Sequence, residues 1–356
     1  MRITKPTLLV DQEKCSNNIE RMVSKTKNAN AQLRPHFKTH HSAQIGEWYR
    51  SHGVDKCTVS SVSMAEYFIK NGWDDLTIAF PYNPLESEEI SHLATNANLN
   101  ILIESKESLQ LANELISENV GFYIKIDIGT HRTGIAPDNQ ELLEKLVTHA
   151  TEKVSFQGLL AHAGHTYHLH TNEEIKRVFD ESVDLLAPLK RTYGGLLSFG
   201  DTPTCSVVED LSAFDEIRAG NFVFYDWMQK DIGSCTFEDI AVCMACPVVA
   251  IHKERNEVVV YGGAVHLSKD FIVEDGTACF GKVVLLDGQQ WNTSVIGNVC
   301  RLSQEHGILH LPSEQIHKIK VGDLIGVIPV HSCLAADLQG HYFTTGGQKV
   351  EKFVKE

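Results

Sequence analysis

The sequence predicts an α/β protein in which a parallel eight-stranded β/α barrel is followed by a mostly antiparallel β domain. Eight short apolar runs alternate with amphipathic, helix-like stretches along the first two-thirds of the chain, which is typical of parallel β/α units. After Ser234 the long helical periodicity ends, and strand-like runs separated by Gly, Asp and Asn follow. A doubly wound sheet would show the same alternation, but eight repeats favour the barrel.

The predicted elements follow in chain order. The barrel strands are residues 32–37, 56–60, 76–80, 100–103, 121–126, 154–161, 195–199 and 216–218. The helices between them are residues 42–51, 63–71, 85–95, 105–117, 139–151 and 173–192. The strands of the β domain are residues 258–261, 280–286, 293–299 and 324–330. The predicted domains are therefore residues 1–234 and 235–356, with about the first ten residues able to join the β domain instead.

Composition limits the functional classes. The 356 residues correspond to roughly two domains of about 150 residues. Lys plus Arg is 32 and Asp plus Glu is 46, so the formal net charge is −14. Such a chain lacks the basic surface that would bind nucleic acid or an anionic membrane. The nine cysteines follow no disulfide framework, and the apolar run at residues 8–10 is too short for an export signal. We therefore expect a cytoplasmic protein with no nucleic-acid or membrane partner.

Lys38 comes at the end of the first predicted strand, within the segment RPHFKTHH. At the carboxyl end of a barrel strand we expect the Lys38 ammonium to be desolvated. Burial favours the neutral amine over the charged ammonium. A neutral amine is the form that makes a Schiff base with an aldehyde cofactor. The structural alternative is a surface lysine at a strand end.

Two glycine turns follow the last two predicted barrel strands, FGDTPT at residues 199–204 and RAGN at residues 218–221. A glycine lets the backbone approach an anion closely, and a threonine adds a hydroxyl. Barrels commonly bind phosphate in these two loops. Each turn alone is explained as a connector, but together they favour a phosphate site.

The loops after the fifth and sixth predicted strands are polar. The segment DIGTHRTG at residues 127–134 contains Arg132, which could bind an anion or a heterocycle, or form a salt bridge with Asp127. The next loop contains Tyr167 among histidines at positions 162, 165, 168 and 170. Such a density of histidines suits metal binding or acid/base chemistry, but the spacing fits no zinc motif, so structural histidines are the simpler interpretation.

His331 and Cys333 follow the predicted strand 324–330. Residues two apart in an extended chain face the same side. Imidazole and thiolate together suit zinc or a similar ion, and two protein ligands leave positions for water and substrate. Coincidence is the alternative. Cys243 and Cys246 form a CxxC in an apolar run with no second CxxC, so we interpret them as buried structural thiols.

Taken together, these segments resemble the D-threonine aldolase and D-serine dehydratase family, within the alanine-racemase-like (fold-type III) pyridoxal phosphate enzymes. The resemblance runs almost from end to end. It rests on the segments KPTLLVD (5–11), RPHFKTH (34–40), DIGTHRTG (127–134), HAGHTY (162–167), GDTPT (200–204), EIRAGNFVF (216–224), QEHG (304–307) and PVHSC (329–333). The RPHFKTH segment and the final HSC are the most specific of these motifs. Phe222 and Tyr261 depart from the family pattern.

The resemblance implies a cofactor site. Lys38 would hold pyridoxal 5'-phosphate as a Schiff base and would move the α-proton of the substrate. The phosphate would be held by Gly200, Thr202 and the backbone of Gly220 and Asn221.

The resemblance also implies the surroundings of the ring and a metal site. Tyr167 would line the cofactor pocket, and Arg132 would lie beside the pyridine ring, with Arg218 as the competing residue. His331 and Cys333 would bind a divalent metal, with zinc favoured over manganese or magnesium. Family members are homodimers, so we expect a homodimer here.

The implied activity is that of a lyase acting on 3-hydroxy-D-amino acids. If the α-proton is removed and the β-hydroxyl leaves, the reaction is a dehydration, as in D-serine dehydratases. If the hydroxyl proton is removed, the Cα–Cβ bond breaks to give glycine and an aldehyde, as in D-threonine aldolases. Cys333 favours dehydration, because the dehydratases tend to have His and Cys as the metal pair and the aldolases His and Asp. An amino-acid racemase and a cofactor-carrying binding protein are the remaining alternatives.

Overall fold

The structure is a computed structural model and describes residues 2–354. The chain forms two compact units. One comprises Glu20–Lys38 and Gly46–Gly220, and the other comprises residues 2–19, Thr39–Ile45 and Asn221–Val354. The predicted domains, residues 1–234 and 235–356, stay a prediction, because compactness alone does not show which segments fold independently.

The strands and helices have the following bounds. The strands are β1 (Thr7–Val10), β2 (Gln32–Leu33), β3 (Cys57–Val59), β4 (Asp75–Pro81), β5 (Asn98–Ile103), β6 (Val120–Ile126), β7 (Val154–Ala161), β8 (Leu196–Phe199), β9 (Glu216–Ile217), β10 (Val242–His252), β11 (Glu257–Tyr261), β12 (Ile272–Glu274), β13 (Thr277–Cys279), β14 (Gly281–Asp287), β15 (Gln290–Leu302), β16 (His306–His310), β17 (Leu324–Pro329), β18 (His341–Thr344) and β19 (Lys349–Glu351). The helices are α1 (Gln12–Asn28), α2 (Ala43–Ser51), α3 (Val62–Lys70), α4 (Ser87–Ala94), α5 (Lys106–Leu115), α6 (Gln140–Thr148), α7 (Asn172–Tyr193), α8 (Thr202–Val207), α9 (Trp227–Ile232), α10 (Ala264–Leu267), α11 (Ser313–Ile316) and α12 (Ser332–Asp337).

The unit of residues 20–38 and 46–220 contains a parallel sheet of eight strands. Their order is β2-β9-β8-β7-β6-β5-β4-β3. The two end strands are linked by a parallel bridge between His36 and Thr58, where the Thr58 N–H donates to the Pro35 carbonyl at 2.9 Å. The sheet is therefore a nearly closed barrel, and the predicted fold class is confirmed.

The interior of this barrel follows from its sequence. Every residue of β6 is buried, as expected for a parallel strand covered on both faces. Leu102, Tyr123 and Leu160, from three successive strands, form one cluster. Lys125 is the charged exception in β6, since only 5% of it is exposed.

The unit of residues 2–19, 39–45 and 221–354 contains a nine-stranded sheet in the order β11-β16-β15-β14-β17-β10-β1-β18-β19. A further pairing of β11 with β10 joins six of these strands into a ring. All pairs are antiparallel except β1 with β18, so the predicted antiparallel character is confirmed. Cys243 and Cys246 are buried in β10 and form no disulfide. They are structural thiols, as predicted.

Two local features differ from the sequence-based expectation. Helix α1 was not predicted, because its sequence is mostly polar. The buried residues of α1 nevertheless follow helical spacing, at Cys15, Ile19, Met22 and Val23. The first barrel strand is shorter than predicted and ends at Leu33. Pro35 follows it and has no N–H to donate to a strand neighbour.

Among the helices of residues 2–354, none combines the length and the apolar character that crossing a bilayer requires.

Candidate active site

Lys38 is positioned by the residue before it. The chain forms a 3-10 turn at Phe37–Thr39, and the fully buried Phe37 ring lies 4.8–5.2 Å from the rings of Tyr49, Phe68 and Trp73. Burying a phenylalanine side chain stabilises the fold by about 2–3 kcal/mol, so the backbone at Lys38 is fixed. The Lys38 side chain itself is exposed. The expectation that burial would neutralise its amine is therefore wrong.

His162 lies within electrostatic reach of Lys38. Burial and the Lys38 charge hold the pKa of His162 well below its ordinary value. Its Nδ1 is 2.6 Å from the Gly200 carbonyl oxygen, and a carbonyl can only accept, so Nδ1 carries the proton. His162 is therefore a neutral imidazole whose Nε2 is the acceptor nitrogen. His162 is one of the four histidines in the loop after the sixth predicted strand, and this tautomer leaves its Nε2 able to accept a proton or a hydrogen bond.

Gly200 lies where two strand ends approach closely. A Cβ atom at this position would be 2.8 Å from the nitrogen of Ala219 and 2.8 Å from two backbone atoms of Arg218. The absence of a side chain is therefore required by the packing of β8 against β9, whatever binds in front of it. The phosphate role predicted for Gly200 and Gly220 stays a prediction.

Thr202 and Asp201 open α8 after this glycine. The Asp201 carboxylate accepts from the Thr204 N–H at 2.8 Å and from the Thr166 hydroxyl at 2.9 Å. Burial outweighs these hydrogen bonds and raises the pKa of Asp201 to about 6. Within residues 2–354 the buried Thr202 hydroxyl has no hydrogen-bond partner. A hydroxyl of this kind fits the oxygen of an anion such as phosphate.

The two arginines singled out in the sequence have different environments. Arg218 is 5% exposed, and its guanidinium donates to the Ser198 hydroxyl at 2.7 Å and the Ala161 carbonyl at 2.5 Å. Arg132 is exposed, and Asp127 binds His131 at 2.9 Å, so the salt bridge from Asp127 to Arg132 that was the structural alternative is not formed. Arg218 is thus fixed at the strand ends, whereas Arg132 belongs to an exposed loop.

Lys125 is a residue that the sequence analysis missed. Its Nζ donates to the Ile126 carbonyl at 3.1 Å. Burial, reinforced by the charges of Arg218 and Arg132, lowers the pKa of Lys125 to about 7. The signal was a single lysine within the apolar strand VGFYIKI. Tyr167, the remaining predicted contact, lies half-buried in the 3-10 helix Gly164–His168.

The structure brings His331 and Cys333 together as an interacting pair. The two side chains are hydrogen-bonded, and the Thr39 hydroxyl is 3.3 Å from the Cys333 sulfur. Burial opposes ionisation of the thiol, but His331 and the Thr39 hydroxyl outweigh it, so the pKa of Cys333 is lowered. Burial would also lower the pKa of His331, but Cys333, Asp226 and Asp270 raise it to about 9.

This pair has the chemistry of a metal site. An easily ionised thiol and an imidazole are the donors that zinc prefers. Within residues 2–354 no third His, Cys, Asp or Glu completes a cluster with them. Two protein ligands suit a site that keeps positions for water and substrate, and a closed structural site would need four.

Asn221 is also part of this cluster through its side chain. Its amide nitrogen donates to Asp226 at 2.7 Å and to the Ser332 hydroxyl at 3.0 Å, and it lies 3.5 Å from the Cys333 sulfur. The sequence analysis assigned its backbone to the phosphate and did not foresee this second contact. Asp226 was missed altogether, because an aspartate at the start of a helix has no pattern that separates a cap from a functional group.

Comparisons with known proteins agree with the motifs. The family model described as "Alanine racemase, N-terminal domain" matches residues 10–226, and the one described as "Putative serine dehydratase domain" matches residues 241–345. The D-serine dehydratase of Dictyostelium discoideum is 29% identical over 95% of this chain and 92% of its own length. The D-threo-3-hydroxyaspartate dehydratase of Delftia sp. (strain HT23) is 27% identical over 92% of this chain and 90% of its own.

The chain is also similar to an aldolase and to a solved dehydratase structure. The D-threonine aldolase of Arthrobacter sp. is 23% identical over 63% of this chain and 62% of its own length. A mutant of D-threo-3-hydroxyaspartate dehydratase, solved in the metal-free form, covers 99% of this chain and 98% of its own with a TM-score of 0.90 and 24% identity. The resemblance predicted from the motifs is confirmed.

Proposed function

Because the chain belongs to the alanine-racemase-like pyridoxal phosphate enzymes, in the D-threonine aldolase and D-serine dehydratase family, we propose that it is a metal-dependent dehydratase of 3-hydroxy-D-amino acids. The observation that carries dehydration over the alternatives is the paired His331 and Cys333, whose thiol has a lowered pKa. Support for the substrate class comes from the similar proteins, since D-serine and D-threo-3-hydroxyaspartate both have a hydroxyl on Cβ.

Lys38 is the residue proposed to hold the cofactor and to take the α-proton. Bound pyridoxal phosphate supplies an electron sink for negative charge at Cα. The Lys38 amine must reach both the cofactor and the substrate, and its side chain is exposed at a turn whose backbone is anchored by the buried Phe37. The neutral His162 close to Lys38 adds no positive charge that would oppose the protonated amine.

The phosphate is proposed to be held by the turns that follow β8 and β9. The Thr202 hydroxyl provides a buried donor, and Gly200 is proposed to let the backbone approach the phosphate closely. The backbone at Gly220 and Asn221 is proposed to complete this site. For the pyridine ring, Arg132 is the proposed neighbour and Arg218, whose guanidinium is held by Ser198, is the competing residue, and Tyr167 is proposed to line the pocket.

His331 and Cys333 are proposed to bind the metal. A bound divalent ion supplies Lewis-acid stabilisation of the departing β-hydroxyl. Zinc is preferred over manganese and magnesium because a thiolate is a soft ligand. In the elimination, the proton on Cα passes to Lys38, the C–O bond at Cβ breaks, and the hydroxyl leaves as water after it gains a proton. Hydrolysis of the released product then gives a 2-oxo acid and ammonia.

Product analysis tests this proposal. The purified protein with pyridoxal phosphate and Zn²⁺ is incubated separately with D-serine, D-threonine and D-threo-3-hydroxyaspartate, with the L-forms as controls. We expect 2-oxo acid and ammonia from the D-forms, lost on chelation and in Cys333→Ala but retained in Cys300→Ala, which removes another half-exposed cysteine. Racemisation, or the absence of turnover by cofactor-loaded protein, would contradict the proposal.

The second candidate is Cα–Cβ cleavage to glycine and an aldehyde. The observation that favours it is the similarity to the D-threonine aldolase of Arthrobacter sp.. The same incubations separate the two reactions, because glycine and aldehyde appear in place of ammonia and 2-oxo acid.

The proposal includes a homodimer located in the cytoplasm. The family resemblance supports the dimer, and the nine cysteines, which follow no disulfide framework, support a reducing compartment. Light scattering should give the mass of two chains, and a mass of one chain would contradict the dimer. Fractionation of cells should place the protein with cytoplasmic markers.

A further inference from the structure

Asp226 is a buried carboxylate beside the His331–Cys333 pair. None of its side chain is exposed to solvent. One oxygen, Oδ1, accepts from the Gln229 N–H at 2.9 Å and so caps α9. The other oxygen, Oδ2, faces away from this cap, and its contacts are all with the cluster around the pair.

The contacts of Oδ2 reach the residue between the two ligands. Oδ2 accepts from the Ser332 N–H at 2.8 Å and from the Ser332 hydroxyl at 3.1 Å. It also accepts from the Asn221 amide at 2.7 Å. Since Ser332 connects His331 to Cys333, fixing its N–H and hydroxyl fixes the backbone from which both ligand side chains project.

Oδ2 also faces the imidazole directly. The His331 Nδ1 lies 3.5 Å from this oxygen. A carboxylate on the Nδ1 side favours the proton at Nδ1 and leaves Nε2 as the nitrogen for a metal.

We propose that Asp226 is a positioning residue for the metal pair, because it holds Ser332 between the two ligands and orients the His331 imidazole. This inference rests on the proposed metal-binding function of His331 and Cys333. It assigns to Asp226 no contact with the metal or with substrate. A purely structural role as the cap of α9 is the alternative, and it predicts no change in metal binding once the cap is preserved.

The test compares Asp226→Asn with Asp270→Asn. Asparagine is also a good helix cap, so the first variant keeps the bond to Gln229 and removes the charge. Asp270 is a matched control, because its carboxylate also raises the pKa of His331 and its backbone N–H bonds only within its own segment, to Ser268. Zinc affinity is measured on the metal-stripped, cofactor-containing protein by competition with a chromophoric chelator. Thermal unfolding is followed in parallel.

We expect Asp226→Asn to weaken zinc binding by about 10–100-fold, the usual effect of losing the group that orients a ligand. Asp270→Asn should weaken it less than about threefold. Cobalt in place of zinc gives a second readout, since the thiolate–cobalt absorption band should change in energy only in Asp226→Asn. A zinc affinity of Asp226→Asn within threefold of the parent, or equal losses in both variants, would overturn the proposal.

Two further measurements keep the test decisive. If Asp226→Asn does not fold, Ser332→Ala removes the hydroxyl bound to Asp226 and Asn221; unchanged zinc affinity there overturns the proposal, and a loss of about tenfold supports it. If the parent itself binds no zinc, or binds it equally well after Cys333→Ala, the proposed metal function fails and the role of Asp226 falls with it. If the parent loses zinc with Cys333→Ala while Asp226→Asn retains it, only the role of Asp226 is overturned.

Discussion

The turn that carries His331 and Cys333 and the turn that carries Lys38 are constructed in opposite ways. In the first, the side chains themselves are held: the thiol and imidazole are hydrogen-bonded to each other, and Ser332 between them is bound by Asp226. In the second, burial of Phe37 fixes the backbone while the lysine side chain is exposed. The proposed metal ligands need one fixed geometry, whereas the amine proposed to serve both cofactor and substrate has to reach two partners.

Replacing Lys38 tests the turn with the exposed side chain and should have the largest effect on activity. In Lys38→Ala the amine proposed to hold the cofactor and to take the α-proton is absent, so we expect activity to fall by about four orders of magnitude. The yellow chromophore that borohydride reduces onto the protein should also be lost. Lys70→Ala removes another exposed lysine, paired with Glu66, and should keep both. A covalent pyridoxyl adduct retained in Lys38→Ala would refute the assignment.

Removing the metal tests the turn that carries His331 and Cys333. Chelation or Cys333→Ala should lower activity by about 10²- to 10³-fold, since Lewis-acid assistance is worth several kcal/mol. The zinc content should fall in parallel, and added Zn²⁺ should restore the chelated parent but not the variant. Cys300→Ala serves as the control. Unchanged zinc stoichiometry and activity in Cys333→Ala would show that the hydrogen-bonded pair has another purpose.

Asp201 sharpens the comparison, because it is the counterpart of Asp226 in the barrel unit. Both carboxylates are buried and cap short helices. Asp226 Oδ2 accepts three hydrogen bonds from the cluster around the metal pair, whereas Asp201 Oδ2 has no partner within the part of the chain that the structure describes. An oxygen without a donor makes ionisation costly, which is why burial raises the pKa of Asp201 to about 6.

This difference predicts a pH dependence of stability. An acid whose pKa is raised in the folded state stabilises the fold fully below its unfolded pKa, and this contribution is lost as the pH rises through 6. Asp201→Asn keeps the cap and removes the titration. Between pH 4 and pH 7 the cofactor-free parent should therefore lose about 2 kcal/mol of unfolding free energy relative to the variant, measured by urea denaturation. If the unfolding free energies of the two proteins change with pH in parallel, ionising Asp201 costs the folded state little free energy, and the prediction is contradicted.

The sequence predicted this molecule well where periodicity and motif spacing carry the information. Alternating runs predicted the barrel, and the spacing of His331 and Cys333 predicted two side chains that the structure pairs. What could not be predicted depends on contacts between distant residues. Phe37 is buried by Tyr49, Phe68 and Trp73, and local spacing could not decide between a buried Lys38 and the surface lysine that was the alternative.

Charge environments were also outside the reach of the sequence. Lys125 lies in an apolar strand and is buried, and burial lowers its pKa to about 7, whereas Lys38 lies in a 3-10 turn and is exposed. Asp226 lies 106 positions before Ser332 in the chain, so its bonds to the turn could not be read from spacing. The sequence therefore identified the chemical groups, and the structure identified which of them are held.

Gly200 gives the smallest expected effect and separates packing from cofactor binding in the barrel unit. A Cβ at this position would lie 2.8 Å from backbone atoms of Arg218 and Ala219, and backbone cannot move as easily as a side chain. Gly200→Ala should therefore lower the unfolding free energy of the cofactor-free protein by about 2 kcal/mol. Gly340→Ala, with nothing within 4 Å of its added Cβ, should stay within about 0.5 kcal/mol of the parent.

The affinity for pyridoxal phosphate, measured on the same two variants, decides what the glycine is for. If Gly200→Ala destabilises the cofactor-free protein and weakens cofactor binding, the strand ends are packed into the shape that receives the phosphate before it arrives. If it leaves stability unchanged and weakens only cofactor binding, the neighbouring backbone yields, and the turn takes its final form around the ligand. The second result would make the phosphate turn a segment that adapts to its ligand, in contrast to the His331–Cys333 turn, where Asp226 holds Ser332 in place.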